Sequence, residues 1–283
     1  MLLTIDVGNT QTVLGIFPDG RSIGNEAEAV GNIGNVRSNR PELIHHWRVA
    51  TNAERTADEH ALLISELLGL EGIDSARQVT GIALSSTVPR LTAAIREMIT
   101  RWFDVESVIL EPGVRTGTPI LYDDPREVGA DRIANAVGAF AQYGGPTIVV
   151  DFGTATTFDC ISKAGEYLGG AIVPGIEISM DALFAHAAAL RRVELVEPRR
   201  IIGKNTVESI QTGAVYGFAS QAEGLCRKLE EEMGESKVVL TGGLAEVIAP
   251  HLSIPHFRDP WLTLHGLRIV FERNVPMQGV SGP

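Results

Sequence analysis

The sequence predicts an α/β protein built from two similar domains, on the strength of an internal repeat and of the elements that follow each copy. Residues 4–20, TIDVGNTQTVLGIFPDG, align without gaps on residues 149–165, VVDFGTATTFDCISKAG. Each copy has Asp-x-Gly and a polar turn between two apolar strands, which favours duplication over chance. The matched pairs are Asp6 and Asp151, Gly8 and Gly153, Thr12 and Thr157, Ile16 and Ile161, and Gly20 and Gly165.

Alternating strand and helix patterns follow each copy. Leucines at helical spacing after a Thr56/Glu59 capping box predict the first helix at 56–69. Other predicted helices are 90–102, 128–142, 177–190, 206–233, 244–250 and 261–273, and predicted strands lie within 43–50 and at 79–85, 107–110, 237–241 and 256–258. This order, given twice, predicts an N-terminal domain at 1–128 and a C-terminal domain at 129–283 rather than one doubly wound sheet.

The composition is that of a globular protein, with 44% hydrophobic and 21% charged residues. No run approaches the ~18 apolar residues that a membrane helix needs, and the N-terminus lacks the basic region of a signal peptide. A net charge of −11 disfavours a nucleic-acid binder, which needs a basic face. We therefore expect a cytoplasmic protein that binds neither membrane nor nucleic acid.

The cysteines and histidines predict neither a disulfide nor a metal centre. Cys160 lies in an apolar strand-like run and Cys226 in a helical one, so both are expected to be buried hydrophobes in a reducing compartment. No His/Cys spacing resembles a zinc site. Two segments read as irregular: residues 18–41, rich in Gly and Asn, predict a mobile insertion, and residues 276–283 predict a frayed tail.

An Asp-x-Gly turn at the end of a buried strand suits the binding of phosphate and a cation. The strand delivers a carboxylate to the sheet edge, where its oxygens can hold a divalent ion. Glycine lets the backbone approach an anion closely, and the turn's N–H groups can donate to phosphate oxygens. One such turn is common in hairpins that bind nothing, but two related copies facing each other across a cleft predict a cradle for a nucleotide. The polar side chains available there are Asn9, Thr10, Thr154 and Thr156.

A third segment, Thr241-Gly242-Gly243, follows an apolar strand and precedes a predicted helix. It would expose backbone N–H groups on a surface free of side chains, where an adenosine could lie, although a plain strand-to-helix turn is an equal alternative on these residues alone. The chain has no Gly-x-x-x-x-Gly-Lys-Ser/Thr loop and no Gly-x-Gly-x-x-Gly after a strand. A P-loop and a Rossmann site are therefore excluded.

Taken together, the motifs resemble those of type III pantothenate kinases over nearly the whole chain. They are DVGNT at 6–10, GADR at 129–132, DFGTAT at 151–156, GGAIVPGI at 169–176, GKNT at 203–206, LTGG at 240–243 and HGLRIVFERN at 265–274. The resemblance implies two duplicated ribonuclease-H-like domains with an interdomain nucleotide cleft, as in the superfamily of acetate and sugar kinases, Hsp70 and actin. It also implies a homodimer with composite active sites.

The resemblance further implies ATP-dependent phosphorylation of pantothenate and assigns roles to matched residues. Mg²⁺ would be held by Asp6 and a monovalent cation, K⁺ or NH₄⁺, by Asp151. The ATP-binding residues would be Asp6, Val7, Gly8, Asn9, Thr10, Gln11, Thr12, Val13, Thr154, Thr241, Gly242 and Gly243. The pantothenate-binding residues would be Tyr122, Gly129, Ala130, Asp131, Arg132 and Thr206.

Asp131 would be the general base in these enzymes, and Arg132 beside it is a fixed cation suited to the pantothenate carboxylate. From the residues alone, both would be interpreted as a helix N-terminus with a surface charge. The family match reverses that interpretation.

Two other functions stay open at this point. The same fold could phosphorylate another acceptor, such as a sugar or a carboxylate, although the GADR and GKNT motifs argue against it. A nucleotide-dependent regulatory protein is the second alternative, since members of the family have been described as accessory transcription factors. The acidic charge and the lack of a helix-turn-helix pattern weigh against direct DNA binding.

Overall fold

The computed structural model describes residues 1–18, 42–187 and 189–275. Nearly all of the predicted insertion at 18–41, and the whole predicted tail at 276–283, lie outside the described residues. Within those ranges no helix has both the length and the apolar character needed to cross a membrane. Contacts group the chain into two compact units, described one at a time below.

Unit 1 contains a five-stranded sheet of order β3-β2-β1-β4-β5. Its strands are β1 (Leu2–Val7), β2 (Gln11–Phe17), β3 (His45–Ala50), β4 (Gly81–Ser86) and β5 (Glu106–Ile109). The first three form an antiparallel meander, and β4 and β5 add in parallel. Alternate residues of β1, including Leu3 and Ile5, join a buried apolar cluster with residues of the helices at Ala57–Leu70 and Pro89–Met98, so one face of the sheet is a packed core.

The helices beside this sheet begin where the sequence signals them. Helix α1 (Ala57–Leu70) starts at a full capping box in which Thr56 N donates to Glu59 Oε2 at 2.8 Å and Glu59 N donates to Thr56 Oγ1 at 3.3 Å. Helix α3 (Pro89–Met98) starts with proline, whose missing N–H costs nothing there. The short helix α2 (Ser75–Gln78) lies between them. The helix predicted at 90–102 is α-helical only to Met98 and ends in a π-helical turn, Ile99–Phe103.

Unit 2 repeats this topology in its own sheet, of order β10-β9-β6-β7-β8. Its strands are β6 (Thr147–Phe152), β7 (Ala155–Ile161), β8 (Tyr167–Pro174), β9 (Lys237–Thr241) and β10 (Phe257–Arg258). Again three antiparallel strands come first and two parallel strands follow. Two sheets with one topology confirm the predicted duplication, although β8 was missed because its Leu-Gly-Gly sequence is poor in strand formers.

Among the described residues, five α-helices lie after residue 128 in the chain. They are α4 (Ala130–Tyr143), α5 (Ile176–His186), α6 (Thr206–Met233) and α7 (Ala245–Ile248), with α8 (Leu262–Asn274) last in the chain. Helix α6 and strand β9 match their predicted bounds. Cys160 and Cys226 are both buried, as predicted.

The compact units are not contiguous in sequence. Unit 1 takes Met1–Gly117, Gly129–Ala134 and Thr263–Pro283, and unit 2 takes Thr118–Val128 and Asn135–Leu262. The contacts thus divide the chain differently from the predicted domains at 1–128 and 129–283, because α8 packs back on the first sheet. A Cβ at Gly81 would clash with the ring of Phe271, and one at Gly266 would clash with the carbonyl of Ala134. As a division of the duplicated sequence, the boundary at 128 stays a prediction.

Strand register corrects the ungapped alignment. In the first hairpin Asp6 pairs with Val13, whereas in the second Asp151 pairs with Thr157. The second turn is therefore one residue shorter, and every match beyond it moves by one. The predicted matches of Thr12 with Thr157 and Ile16 with Ile161 are wrong, and Gly20 lies outside the described residues. The register instead matches Thr12 with Thr156, Gly15 with Asp159, and Ile16 with Cys160.

Candidate functional site

The first Asp-led turn lies at the carboxyl end of β1, the central strand of its sheet. Gly8 N donates to Gln11 O at 3.0 Å and closes the turn. Asn9, Thr10 and Gln11 are exposed, while Thr12 and Val13 lead back into the sheet. Asp6, which is half-buried, precedes the turn and is flanked by Val13 of β2 and Ser85 of β4.

Thr51 holds this turn, and sequence reasoning missed it. Its Oγ1 donates to Gly8 O at 2.8 Å and lies 2.9 Å from Thr12 Oγ1, and its backbone N donates to Thr10 O at 3.0 Å. One residue therefore fixes both ends of the predicted phosphate loop. A lone threonine after a strand gives no sequence signal. Thr51 comes close to Gly8 and Thr12 only because β3 pairs with β2.

Asp131 and its neighbours open helix α4. Asp131 Oδ1 accepts a hydrogen bond from Arg132 N at 2.8 Å. A Cβ at Gly129 would lie 2.5 Å from the same oxygen, so the carboxylate rests on a position that only glycine leaves open. Ile133 N donates to Gly129 O at 3.1 Å and completes the first turn of the helix. The GADR segment thus holds one carboxylate in a defined place.

Burial raises the pKa of the Asp131 carboxyl above its ordinary value, against the opposing effects of the Arg132 backbone N–H and guanidinium. A carboxylate with a raised pKa is a better proton acceptor once it is ionised. This desolvation distinguishes Asp131 from a fully exposed helix cap.

The second Asp-led turn lies at the carboxyl end of β6. Gly153 N donates to Ala155 O at 3.1 Å, which closes a turn one residue shorter than the first. Asp151 Oδ2 accepts a hydrogen bond from Asn135 Nδ2 at 3.0 Å, and Asn135 is fully buried in α4. Thr154 O accepts from Gly175 N at 3.2 Å, which fixes the backbone of the turn against the start of α5.

The Thr241-Gly242-Gly243 segment lies against this second turn. Thr241 pairs with Asp151 in the parallel register of β9 and β6. Gly242 has a φ of 89°, and a Cβ there would clash with Asp151 Oδ1 and the backbone of Phe152. The glycine is therefore required both by its conformation and by the close approach. The structure thus places the Thr-Gly-Gly segment beside the second Asp-led turn.

Tyr122 and Thr206 lie elsewhere in unit 2. The Tyr122 ring centroid is 6.3 Å from that of Tyr167, at an interplanar angle of 53°. Thr206 is the exposed first residue of α6, after Asn205, whose side chain accepts from Glu208 N at 2.9 Å. The predicted residues Asp6–Val13 and Gly129–Arg132 belong to unit 1, and Tyr122, Asp151, Thr154, Thr206 and Thr241–Gly243 belong to unit 2.

Over the described ranges, no three His, Cys, Asp or Glu side chains come together as a metal cage. Each Asp-led turn instead offers a single carboxylate beside backbone donors. The carboxylate suits a cation that completes its shell with phosphate oxygens and water, and the backbone N–H groups suit phosphate oxygens.

Two sheets with one topology, each with an Asp-led turn at the carboxyl end of its central strand, define the actin-like ATPase class of duplicated α/β folds. The ethanolamine utilization protein EutJ from Carboxydothermus hydrogenoformans has the same fold, with a TM-score of 0.50 and 15% identity over 95% of this chain and 89% of that one. Within that class the chain belongs to the type III pantothenate kinase family, whose pattern it matches over residues 2–228.

Full-length relatives support that membership. The type III pantothenate kinase of Moorella thermoacetica is 52% identical over 275 residues, covering 97% of this chain and 100% of the relative. Those of Streptomyces griseus and Acidothermus cellulolyticus are each 50% identical, covering 97% and 98% of this chain and 99% and 100% of the relatives.

Proposed function

We propose that the protein transfers the γ-phosphoryl group of ATP to pantothenate, giving ADP and 4′-phosphopantothenate, the first step of coenzyme A biosynthesis. About half of all positions are shared with pantothenate kinases along essentially the full length of both chains, and this observation carries the proposal. The local geometry of the turns, the GADR segment and the Thr-Gly-Gly segment supports the roles proposed for them below.

ATP would bind through the two Asp-led turns and the Thr-Gly-Gly segment. The exposed side chains of Asn9, Thr10 and Gln11, with the turn N–H groups, are donors for phosphate oxygens. Asp6 fits a Mg²⁺ ion that takes one protein carboxylate and completes its shell with phosphates and water. Bound there, Mg²⁺ would neutralise charge on the transferring group, which is the main requirement of phosphoryl transfer.

Asp151 would hold the monovalent cation, K⁺ or NH₄⁺. Asn135 donates to Asp151 Oδ2 and so fixes the carboxylate in one orientation. A Cβ at residue 242 would clash with the other oxygen, Oδ1, so glycine is required beside it. Thr154, which lies three residues after Asp151 in the chain, would contact ATP.

Asp131 would accept the proton of the pantothenate hydroxyl as that oxygen attacks phosphorus. Its raised pKa suits the role, and its hydrogen bond from Arg132 N keeps one oxygen oriented. Arg132 would pair with the pantothenate carboxylate. The backbone of Gly129 and Ala130, with Tyr122 and Thr206, would complete the substrate contacts.

We also propose a cytoplasmic homodimer, with an apolar surface of unit 2 as its interface. Large apolar side chains are exposed on α5, on the segment that follows it and at the start of α6, and burying them against a second copy would remove their contact with water. These side chains are Ile178, Leu183, Val196, Ile201, Ile202 and Val207.

The test is a coupled assay of ADP formation by the purified protein with ATP, Mg²⁺ and K⁺. ADP should appear only when pantothenate is present, and mass spectrometry should find one added phosphate on it. Glucose and acetate serve as control acceptors. Equal turnover without pantothenate, or with either control, would refute the assignment, and no turnover with any acceptor would favour a regulatory protein.

A further inference from the structure

A buried tyrosine–carboxylate pair lies behind the predicted pantothenate contact at Tyr122. Tyr167 Oη donates to Asp159 Oδ1 at 2.9 Å, and both side chains are fully buried. Burying a carboxylate is costly unless it is well bonded, so such a pair needs a reason to be there. Neither residue takes part in the catalytic and binding roles described above.

Register shows that the pair is peculiar to unit 2. Asp159 of β7 occupies the position that Gly15 of β2 holds in unit 1, where Leu264 and Leu43 crowd the glycine instead. The strands around these two positions share the same pattern of burial. The duplicated scaffold therefore folds without a carboxylate at this position, and Asp159 serves something that only unit 2 has.

Tyr167 connects this carboxylate to the segment that carries Tyr122. Its backbone N donates to Pro119 O and its carbonyl accepts from Leu121 N, both at 2.8 Å, so residues 119–121 are tied to the start of β8. The centroid of its ring lies 6.3 Å from that of Tyr122, the residue that follows Leu121. Tyr167 thus holds both the backbone before Tyr122 and the ring itself.

Gly169 completes the support. A Cβ at this position would lie 3.4 Å from Tyr122 Cε2, so the Tyr122 ring rests over the glycine. The φ of Gly169 is 119°, which other residues rarely adopt. The ring of Tyr122 is therefore bounded by Tyr167 on one side and by glycine backbone on another.

We propose that Asp159 and Tyr167 are positioning residues that hold Tyr122 for pantothenate. Asp159 fixes the Tyr167 hydroxyl, Tyr167 fixes the ring and backbone around Tyr122, and Tyr122 contacts the substrate. Neither Asp159 nor Tyr167 touches pantothenate. This inference rests on the proposed function, because it takes Tyr122 as a substrate contact.

The test is Tyr167→Phe, which removes one hydroxyl and keeps the ring. The KM for pantothenate should rise about threefold to tenfold, the range expected for one lost hydrogen bond, while kcat and the KM for ATP stay within about twofold. Asp159→Asn keeps an acceptor oxygen for the tyrosine and should have a smaller effect. If Tyr167→Phe fails to fold in thermal melts, Asp159→Asn against Asp159→Ala makes the same comparison.

Tyr143→Phe is the matched control. Tyr143 also packs on an aromatic ring, that of Phe257 at 5.0 Å, and its hydroxyl donates to a carboxylate, Asp259, at 3.4 Å. It should leave the KM for pantothenate unchanged. Equal effects of the two variants, or parallel changes in both substrates' KM values, would overturn the positioning role.

A double-mutant cycle tests the route through Tyr122. In a Tyr122→Ala background, Tyr167→Phe should add less than about twofold to the KM for pantothenate, because the group that it positions is gone. Additive effects would overturn the proposal. If the unaltered protein phosphorylates no pantothenate, the proposed function itself fails, and that outcome is distinct from either result here.

Discussion

Asn135 Nδ2 donates a hydrogen bond to Asp151 Oδ2 at 3.0 Å, so a fully buried amide fixes the aspartate of the second turn. The first turn is held differently, by the hydroxyl of Thr51 on the carbonyl of Gly8. In one turn the protein orients a carboxylate; in the other it orients a loop of backbone donors. The duplicated turns have thus acquired different supports, which suits the different ligands proposed for them, a monovalent cation at one and ATP phosphates at the other.

Asn135→Ala should weaken the response to K⁺. Without its donor, Asp151 loses a fixed orientation, and the K⁺ concentration for half-maximal activity should rise several-fold, as expected for a lost hydrogen bond to a charged group. Titration of activity with KCl at constant ionic strength measures it. Asp151→Asn should abolish the K⁺ response. A wild-type rate that does not change when K⁺ is omitted would show that the cation role of Asp151 is wrong.

Thr51→Val should raise the KM for ATP by about threefold to tenfold, since it removes the hydroxyl that holds Gly8 and Thr12. Steady-state kinetics with each substrate varied in turn measures the change, and the KM for pantothenate should stay constant. Thr80→Val is the control, because Thr80 Oγ1 donates to Met1 O at 3.2 Å, at the opposite end of β1. An equal rise in both variants would mean general loosening of the sheet.

Asp131→Asn should lower kcat by about 10²–10⁴-fold, the usual contribution of a general base, with little change in the melting temperature. The raised pKa of Asp131 places the acid limb of the pH profile above the ordinary aspartate value of 3.8. Activity should therefore fall as the pH drops through that raised pKa and the base becomes protonated. The Asn variant should lack this limb. A variant that keeps most of its activity would remove Asp131 from the role.

His60 should make unit 1 less stable in mild acid. It is 4% exposed in α1, and burial, with a smaller contribution from Arg55, lowers its pKa from 6.5 to about 4. The unfolded chain therefore takes up the proton first, and the free energy of unfolding should decrease as the pH falls from about 6.5 to about 4. Urea denaturation across that range measures the slope.

His60→Gln should flatten this dependence, because the glutamine does not titrate. His256→Gln, which changes a partly buried histidine of unit 2, is the control for the loss of a histidine elsewhere in the chain. If His60→Gln and the unaltered protein lose stability equally on acidification, His60 is not the responsible group.

The fold was predictable where the pattern is local. The capping box of Thr56 and Glu59, and the long amphipathic helix from Thr206, depend on neighbours within a few residues. The residues that hold the two Asp-led turns could not be predicted in this way, because Thr51 and Asn135 bond to partners 43 and 16 positions away in the chain. The ungapped repeat also hid a one-residue difference between the turns, which only strand pairing shows, and with it the correspondence of Asp159 to Gly15.

The return of α8 to the first sheet has a consequence for how the chain is made. Residues 263–274 leave the ribosome after all of unit 2, yet Phe271 covers Gly81, and Gly266 lies against Ala134. The sheet of unit 1 therefore cannot reach its final packing until α8 has been synthesised. Until then, the surface that α8 covers stays exposed. A chain that ends before residue 263 would lack α8 and would leave that surface of the first sheet exposed to solvent.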